Sequence, residues 1–136
     1  MIVFDNRGAG RTDKPDIPYS IEMMAEDAAE LLKALTIERA SFLGISMSGS
    51  IALDLALRYP ERAEKLVLVS TSARVMHTRR RWRVRLLGLV SGLPLFQSKY
   101  PQPCYAFLRQ LQASGSYNCR VYGKREFIDS LSRYEL

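Results

Sequence analysis

One histidine, His77, and two cysteines, Cys104 and Cys119, are all that this chain of 136 residues offers in the way of metal-binding or redox side chains beyond its carboxylates. The cysteines are not paired as C-x-x-C, so neither a disulfide framework nor a zinc site is indicated, and two reduced thiols are expected. The chain also lacks a G-x-G-x-x-G fingerprint and a G-K-S/T loop, which argues against a nucleotide site, and no cofactor is expected. Its longest apolar stretch, Leu86 to Phe96, is broken by Gly88, Ser91, Gly92 and Pro94. That is too short to span a bilayer. No basic leader precedes an apolar segment at Met1, and a cytoplasmic location is the expectation.

Acidic residues are scarce in the second half of the chain. Residues 1–70 carry 8 Lys/Arg against 11 Asp/Glu, whereas residues 71–136 carry 12 against 3, so the net charge of +6 divides into −3 and +9. A basic half meets anionic partners in some proteins, and in others it is one part of a larger domain whose acidic complement lies elsewhere. The cluster Arg79, Arg80, Arg81, Arg83 and Arg85 spreads around a projected helix, while Trp82, Leu86 and Leu89 share one face. A solvated helix accounts for that distribution, and no nucleic-acid partner is expected.

What is present is an alternation of strand and helix signals. Ile2-Val3-Phe4 predicts a short buried strand, ended by the turn Asp5-Asn6-Arg7-Gly8-Ala9-Gly10. In that turn Arg7 is expected to pair with a nearby carboxylate. Ser20 can cap a helix whose Ile21, Met24, Ala28, Leu31, Leu32 and Leu35 recur on one face. Ala40 to Ile45 predicts a second strand, and Ser48 to Tyr59 a helix apolar on most sides, closed by Pro60 and sandwiched in the fold. Leu66 to Val69, Leu-Val-Leu-Val, predicts a third strand covered on both faces. Residues 1–72 therefore predict an α/β core of parallel strands with flanking helices. Residues 73–136 predict a helical, basic region, with helices near Thr78–Leu89 and Tyr105–Ala113.

The stretch Phe42-Leu43-Gly44-Ile45-Ser46-Met47-Ser48-Gly49 places a serine where an apolar strand turns into a helix. In a G-x-S-x-G elbow the small residues on either side let strand and helix approach, and the tight turn lifts the hydroxyl clear of the backbone. Gly44 and Ser46 fit this pattern, and Ser48 stands in place of the second glycine, followed by Gly49.

Three segments in register resemble the α/β-hydrolase fold superfamily: Phe4 to Pro15, the elbow at Ser46, and Leu53 to Arg62 followed by the Leu-Val-Leu-Val strand. Within it the chain is similar to the small esterase, enol-lactonase and proline-iminopeptidase branch. The resemblance implies a partial α/β-hydrolase core followed by a helical cap, with Pro103 to Ser114 as the last cap helix. It implies a serine hydrolase acting on a small ester, lactone or amide through an acyl-enzyme, with Ser46 as nucleophile and the Met47 backbone amide as one oxyanion donor. Gly44, Ser48 and Gly49 are then structural parts of the elbow. Relatives that place aspartate at the elbow, the haloalkane dehalogenases and epoxide hydrolases, do not match Ser46.

In this family the acid and the histidine follow the serine, after the last strands of the sheet. His77 falls where the cap begins, Asp54 belongs to the packed helix and Asp129 lies in a tail without a match, so none is assigned as base or acid. The resemblance also implies a strand between Ile2–Phe4 and Ala40–Ile45 that this sequence does not contain. The expectation is therefore an internal, inactive piece of a hydrolase of roughly 250–300 residues, whose full-length form takes a small-molecule substrate. The alternative is a non-catalytic remnant whose basic second half binds nucleic acid or an anionic membrane surface.

Overall fold

The structure, a computed structural model, describes residues 1–71 and 104–116. The expected helix near Thr78–Leu89, the arginine cluster, His77, Cys119 and Asp129 lie outside the described residues. Helix α1 spans Ile21–Ala34, strand β1 Ala40–Ile45, helix α2 Met47–Arg58, strand β2 Ala63–Val69 and helix α3 Cys104–Ser116.

Ser20 begins α1 as expected. Its backbone is extended, and its hydroxyl accepts a hydrogen bond from the Met23 amide at 3.2 Å. One of the four amides that a helix start leaves unpaired is thereby satisfied, a contribution of about 1 kcal/mol. The helix buries Ile21, Met24, Ala25, Ala28, Ala29 and Leu32, while Leu35, just past its end, stays exposed. Full burial of Ile21 and Met24 is worth about 1.5–3 kcal/mol each.

Strands β1 and β2 are parallel neighbours, with Phe42 opposite Leu66, Leu43 opposite Val67, Gly44 opposite Leu68 and Ile45 opposite Val69. The connection between them is α2, as a parallel pair requires. Helix α2 is buried from Gly49 through Ala56 because it packs on α1 on one side and on both strands on the other. The sandwiched position expected from its apolarity is what the fold shows. Side chains alternate along a strand, so Phe42, Leu66 and Leu68 face the core shared with α1 and α2.

Two expectations are corrected. Ile2-Val3-Phe4 is not a buried strand: these residues carry no ladder pairing, and Val3 is 82% exposed. A strand needs a hydrogen-bonded neighbour as well as apolar side chains, and among the described residues β1 pairs with β2 alone. Likewise β2 is not covered on both faces. Val67 and Val69 are exposed together with Leu43 and Ile45, which form the other face of the pair.

Helix α3 covers the expected Tyr105–Ala113 segment and lies against the turn that follows Phe4. Tyr105 donates its hydroxyl proton to the Lys14 carbonyl at 2.6 Å, and the Gln110 amide donates to the Arg7 carbonyl at 2.9 Å. Arg109 pairs with Asp16 at 3.3 Å. Ala106 and Ala113 are buried at this contact, and Ala113 joins the main core.

Candidate active site at the turn after β1

The chain leaves β1 at Ile45 and enters α2 at Met47, so a single residue makes the turn. That residue is Ser46, with φ 55° and ψ −117°. A non-glycine residue at positive φ is uncommon, and it persists only where its surroundings hold it. The amide of Ser46 donates to the Val69 carbonyl at 2.9 Å, extending the parallel ladder one step past β1. The Ser46 carbonyl accepts from the Gly49 amide at 3.1 Å, from the Ser50 amide at 3.4 Å and from the Thr71 hydroxyl at 2.9 Å. Both peptide units that flank Ser46 are therefore tied down, while the residue itself is exposed.

Two glycines make this turn possible. A Cβ at Gly44 would stand 2.5 Å from the Ser48 carbonyl oxygen and 2.6 Å from the Gly49 Cα, so strand and helix could not approach as they do. A Cβ at Gly49 would stand 1.8 Å from the Thr71 Oγ1. Ser48, in contrast, is exposed and lies inside α2, outside the left-handed backbone region that favours glycine. Its replacement of the second motif glycine therefore requires no strained dihedral. The steric demand at this end of the motif falls on Gly49.

The Ser46 side chain makes no capping bond to α2. Among the described residues, the Met47 and Ser48 amides have no hydrogen-bond acceptor. They are the unpaired donors of a helix start, next to an exposed hydroxyl, and such amides favour a developing negative charge. The structure thus brings Ser46, Met47, Gly44, Ser48 and Gly49 to one turn at the carboxyl ends of two parallel strands, the edge at which open α/β sheets bind ligands.

Other candidates fall elsewhere. Asp54 is fully buried in α2 and bonded to the Arg58 Nε at 2.6 Å, two helical turns beyond the elbow. Arg7 pairs with Asp27 through two bonds, Nε to Oδ2 at 2.6 Å and Nη2 to Oδ1. The hydrogen bond to Asp27 is the main reason that the guanidinium pKa is raised. This pair lines a cavity of about 440 Å³ with Phe4, Asp5 and Leu31. With its guanidinium bonded to Asp27, Arg7 ties the turn after Phe4 to α1. Among the described residues, no group of three or more His, Cys, Asp or Glu could hold a metal ion.

Sequence reasoning missed Ser70 and Thr71. Ser70 has φ 52°, which turns the chain immediately after β2, and Thr71 then reaches the elbow. The signal available was slight: a hydroxyl-rich Ser70-Thr71-Ser72 at the end of an apolar strand, which on its own marks nothing more than a strand terminus.

Residues 1–114 match the family model for the alpha/beta hydrolase fold. The chain is 35% identical over 105 residues to RutD of Agrobacterium fabrum, provisionally assigned as a carbamate hydrolase, with 74% of this chain and 40% of that protein covered. It is 37% identical over 75 residues to 3-oxoadipate enol-lactonase 2 of Acinetobacter baylyi, covering 55% of this chain and 28% of that protein. Among solved structures it is similar to the enol-lactonase of Burkholderia xenovorans, with a TM-score of 0.68 and 25% identity over 86% of this chain and 55% of the other. A hydrolase of Pseudomonas aeruginosa matches with a TM-score of 0.69 and 26% identity over 86% of this chain and 54% of the other. The chain spans less than half the length of the two sequence relatives and about half of the two structures. With the match covering most of its length and the elbow turning between a parallel strand and its crossover helix, the chain belongs to the alpha/beta hydrolase fold family.

Proposed function

We propose that this chain carries the nucleophile-bearing part of a serine hydrolase that acts on a small ester, lactone or amide through an acyl-enzyme. Ser46 attacks the acyl carbon, and the Met47 amide donates to the oxyanion that forms. The observation that carries this reading is the backbone of Ser46 at φ 55° and ψ −117°, held at both flanking peptides and exposed at a helix start. An exposed structural serine has no need of such a turn, since an ordinary helix cap adopts an extended backbone, as Ser20 does. The relatives named for enol-lactone and carbamate hydrolysis favour a small polar acyl substrate.

The chemistry needs a base to take the hydroxyl proton and an acid to orient that base. No histidine lies among the described residues, and Asp54 is committed to Arg58. In this reading residues 1–72 form part of the hydrolase core, residues 73–136 belong to a cap, and turnover depends on groups outside the described residues. The test is hydrolysis of a panel of short acyl esters, lactones and carbamates by the full-length protein. Turnover of one class, reduced roughly a thousandfold or more in Ser46→Ala, is the expected result. Equal turnover by Ser46→Ala would overturn the reading.

A further inference from the structure

The two peptide units on either side of Ser46 are anchored to the same short segment. The amide of Ser46, which belongs to the peptide before it, donates to the Val69 carbonyl at 2.9 Å. The carbonyl of Ser46, which belongs to the peptide after it, accepts from the Thr71 hydroxyl at 2.9 Å. A peptide unit is rigid and planar, with its C=O and N–H on opposite sides. The bond from Thr71 therefore fixes the direction of the Met47 N–H as well. Together with the Gly49 and Ser50 amides, which donate to the same carbonyl from within α2, it holds the second peptide plane beside Ser46 from the side of β2, and two held planes leave φ and ψ little freedom.

The Thr71 hydroxyl is itself confined. A Cβ on Gly49 would overlap it, so no bulk separates Thr71 from the first turn of α2. Its second acceptor is the Val69 carbonyl, at 3.3 Å, the same oxygen that receives the Ser46 amide. With a single proton, the hydroxyl favours the nearer Ser46 carbonyl. Ser70, at φ 52°, supplies the bend that brings Thr71 over the elbow.

We propose that Thr71 is a positioning residue, whose hydroxyl clamps the Ser46–Met47 peptide and so sets both the nucleophile's backbone and the aim of the Met47 amide. The catalytic part of this statement rests on the reading of Ser46 as nucleophile; the conformational part does not.

The experiment compares full-length wild type with Thr71→Val, which keeps the shape and lacks the hydroxyl, and Thr71→Ser, which keeps the hydroxyl. Amide hydrogen exchange at Ser46, Gly49 and Ser50, whose amides are hydrogen-bonded at the elbow, is measured first, with α1 amides reporting whether the fold is intact. Thr71→Val should exchange roughly tenfold faster at the elbow with α1 unchanged, and Thr71→Ser should stay within about twofold of wild type. If Thr71→Val loses protection in α1 as well, Thr71→Ala is measured in its place. Equal elbow exchange in the hydroxyl-less variant, or wild-type loss in Thr71→Ser, overturns the clamp.

Labelling by a fluorophosphonate probe is measured second. The maximal labelling rate should fall roughly tenfold in Thr71→Val while the half-saturating probe concentration holds, with Thr71→Ser restoring the rate. A change in half-saturation alone would contradict the positioning role. Absence of wild-type labelling would sink the nucleophile reading, and the exchange comparison would still decide whether Thr71 holds the elbow.

Discussion

At the scale of single residues, the elbow is a packing problem before it is a chemical one. Gly44 and Gly49 are the positions where an added methyl meets backbone or a neighbouring side chain, whereas Ser48 occupies an ordinary helical position. Gly49→Ala should therefore destabilise the protein by about 1–3 kcal/mol, the usual cost of forcing atoms into a filled space. Ser48→Gly, which restores the family motif, should bring no stability and should cost up to about 1 kcal/mol, because glycine loses more freedom in a helix. Chemical denaturation of the two variants checks this ordering, and a stabilising Ser48→Gly would contradict it. The strand-to-helix turn at Ser46 was legible in Gly44-Ile45-Ser46-Met47-Ser48-Gly49, where an apolar strand runs into small residues that let a helix pack back on it. The steric role of Gly49 and the reach of Thr71 were not legible, because both depend on where the end of β2 lies in space.

At the scale of elements, the periodic signals were accurate and the isolated apolar run was not. Ser20 and the three- and four-residue spacing after it gave α1, and Ala40–Ile45 gave β1 with the same bounds. Ile2-Val3-Phe4 has strand composition, but composition says nothing about the neighbour with which a strand must pair, and residues 1–4 remain exposed and unpaired. Two tyrosines donate hydrogen bonds in their neutral forms, one within the loop before α1 and one between α2 and α1. Tyr19 precedes α1 and donates to the Pro15 carbonyl at 2.8 Å, and Tyr59 ends α2 and donates to the Glu26 carboxylate of α1. Burial raises the pKa of Tyr19, and the hydrogen bond to Glu26 raises that of Tyr59, above the ordinary 10.0. A group whose folded pKa is raised binds its proton more tightly in the native state. Its stabilisation is thus complete below pH 10 and is lost as pH climbs through the folded value. Thermal melts should fall more steeply above pH 10 for wild type than for the double variant Tyr19→Phe, Tyr59→Phe; parallel curves would contradict the assignment.

At the scale of the whole molecule, the described fold has one finished face and one open face. Leu55 lies fully buried between α1 and the strands, whereas Val67 is 51% exposed on the opposite side of β2. Leu55→Ala should cost about 2–5 kcal/mol, and Val67→Thr should stay within about 0.5 kcal/mol in this chain. A large loss from Val67→Thr would show that the open face is covered in solution. This contrast was hidden in the sequence, because Leu-Val-Leu-Val reads the same whether one face of the sheet is covered or both.

Covalent labelling of the full-length protein decides whether the turn after β1 presents a nucleophilic serine. Treatment with a fluorophosphonate at neutral pH, followed by intact mass measurement and peptide mapping, should show one adduct located on Ser46 and none in Ser46→Ala. A folded full-length protein that takes up no probe, or takes it up elsewhere with Ser46 unmodified, would contradict the account.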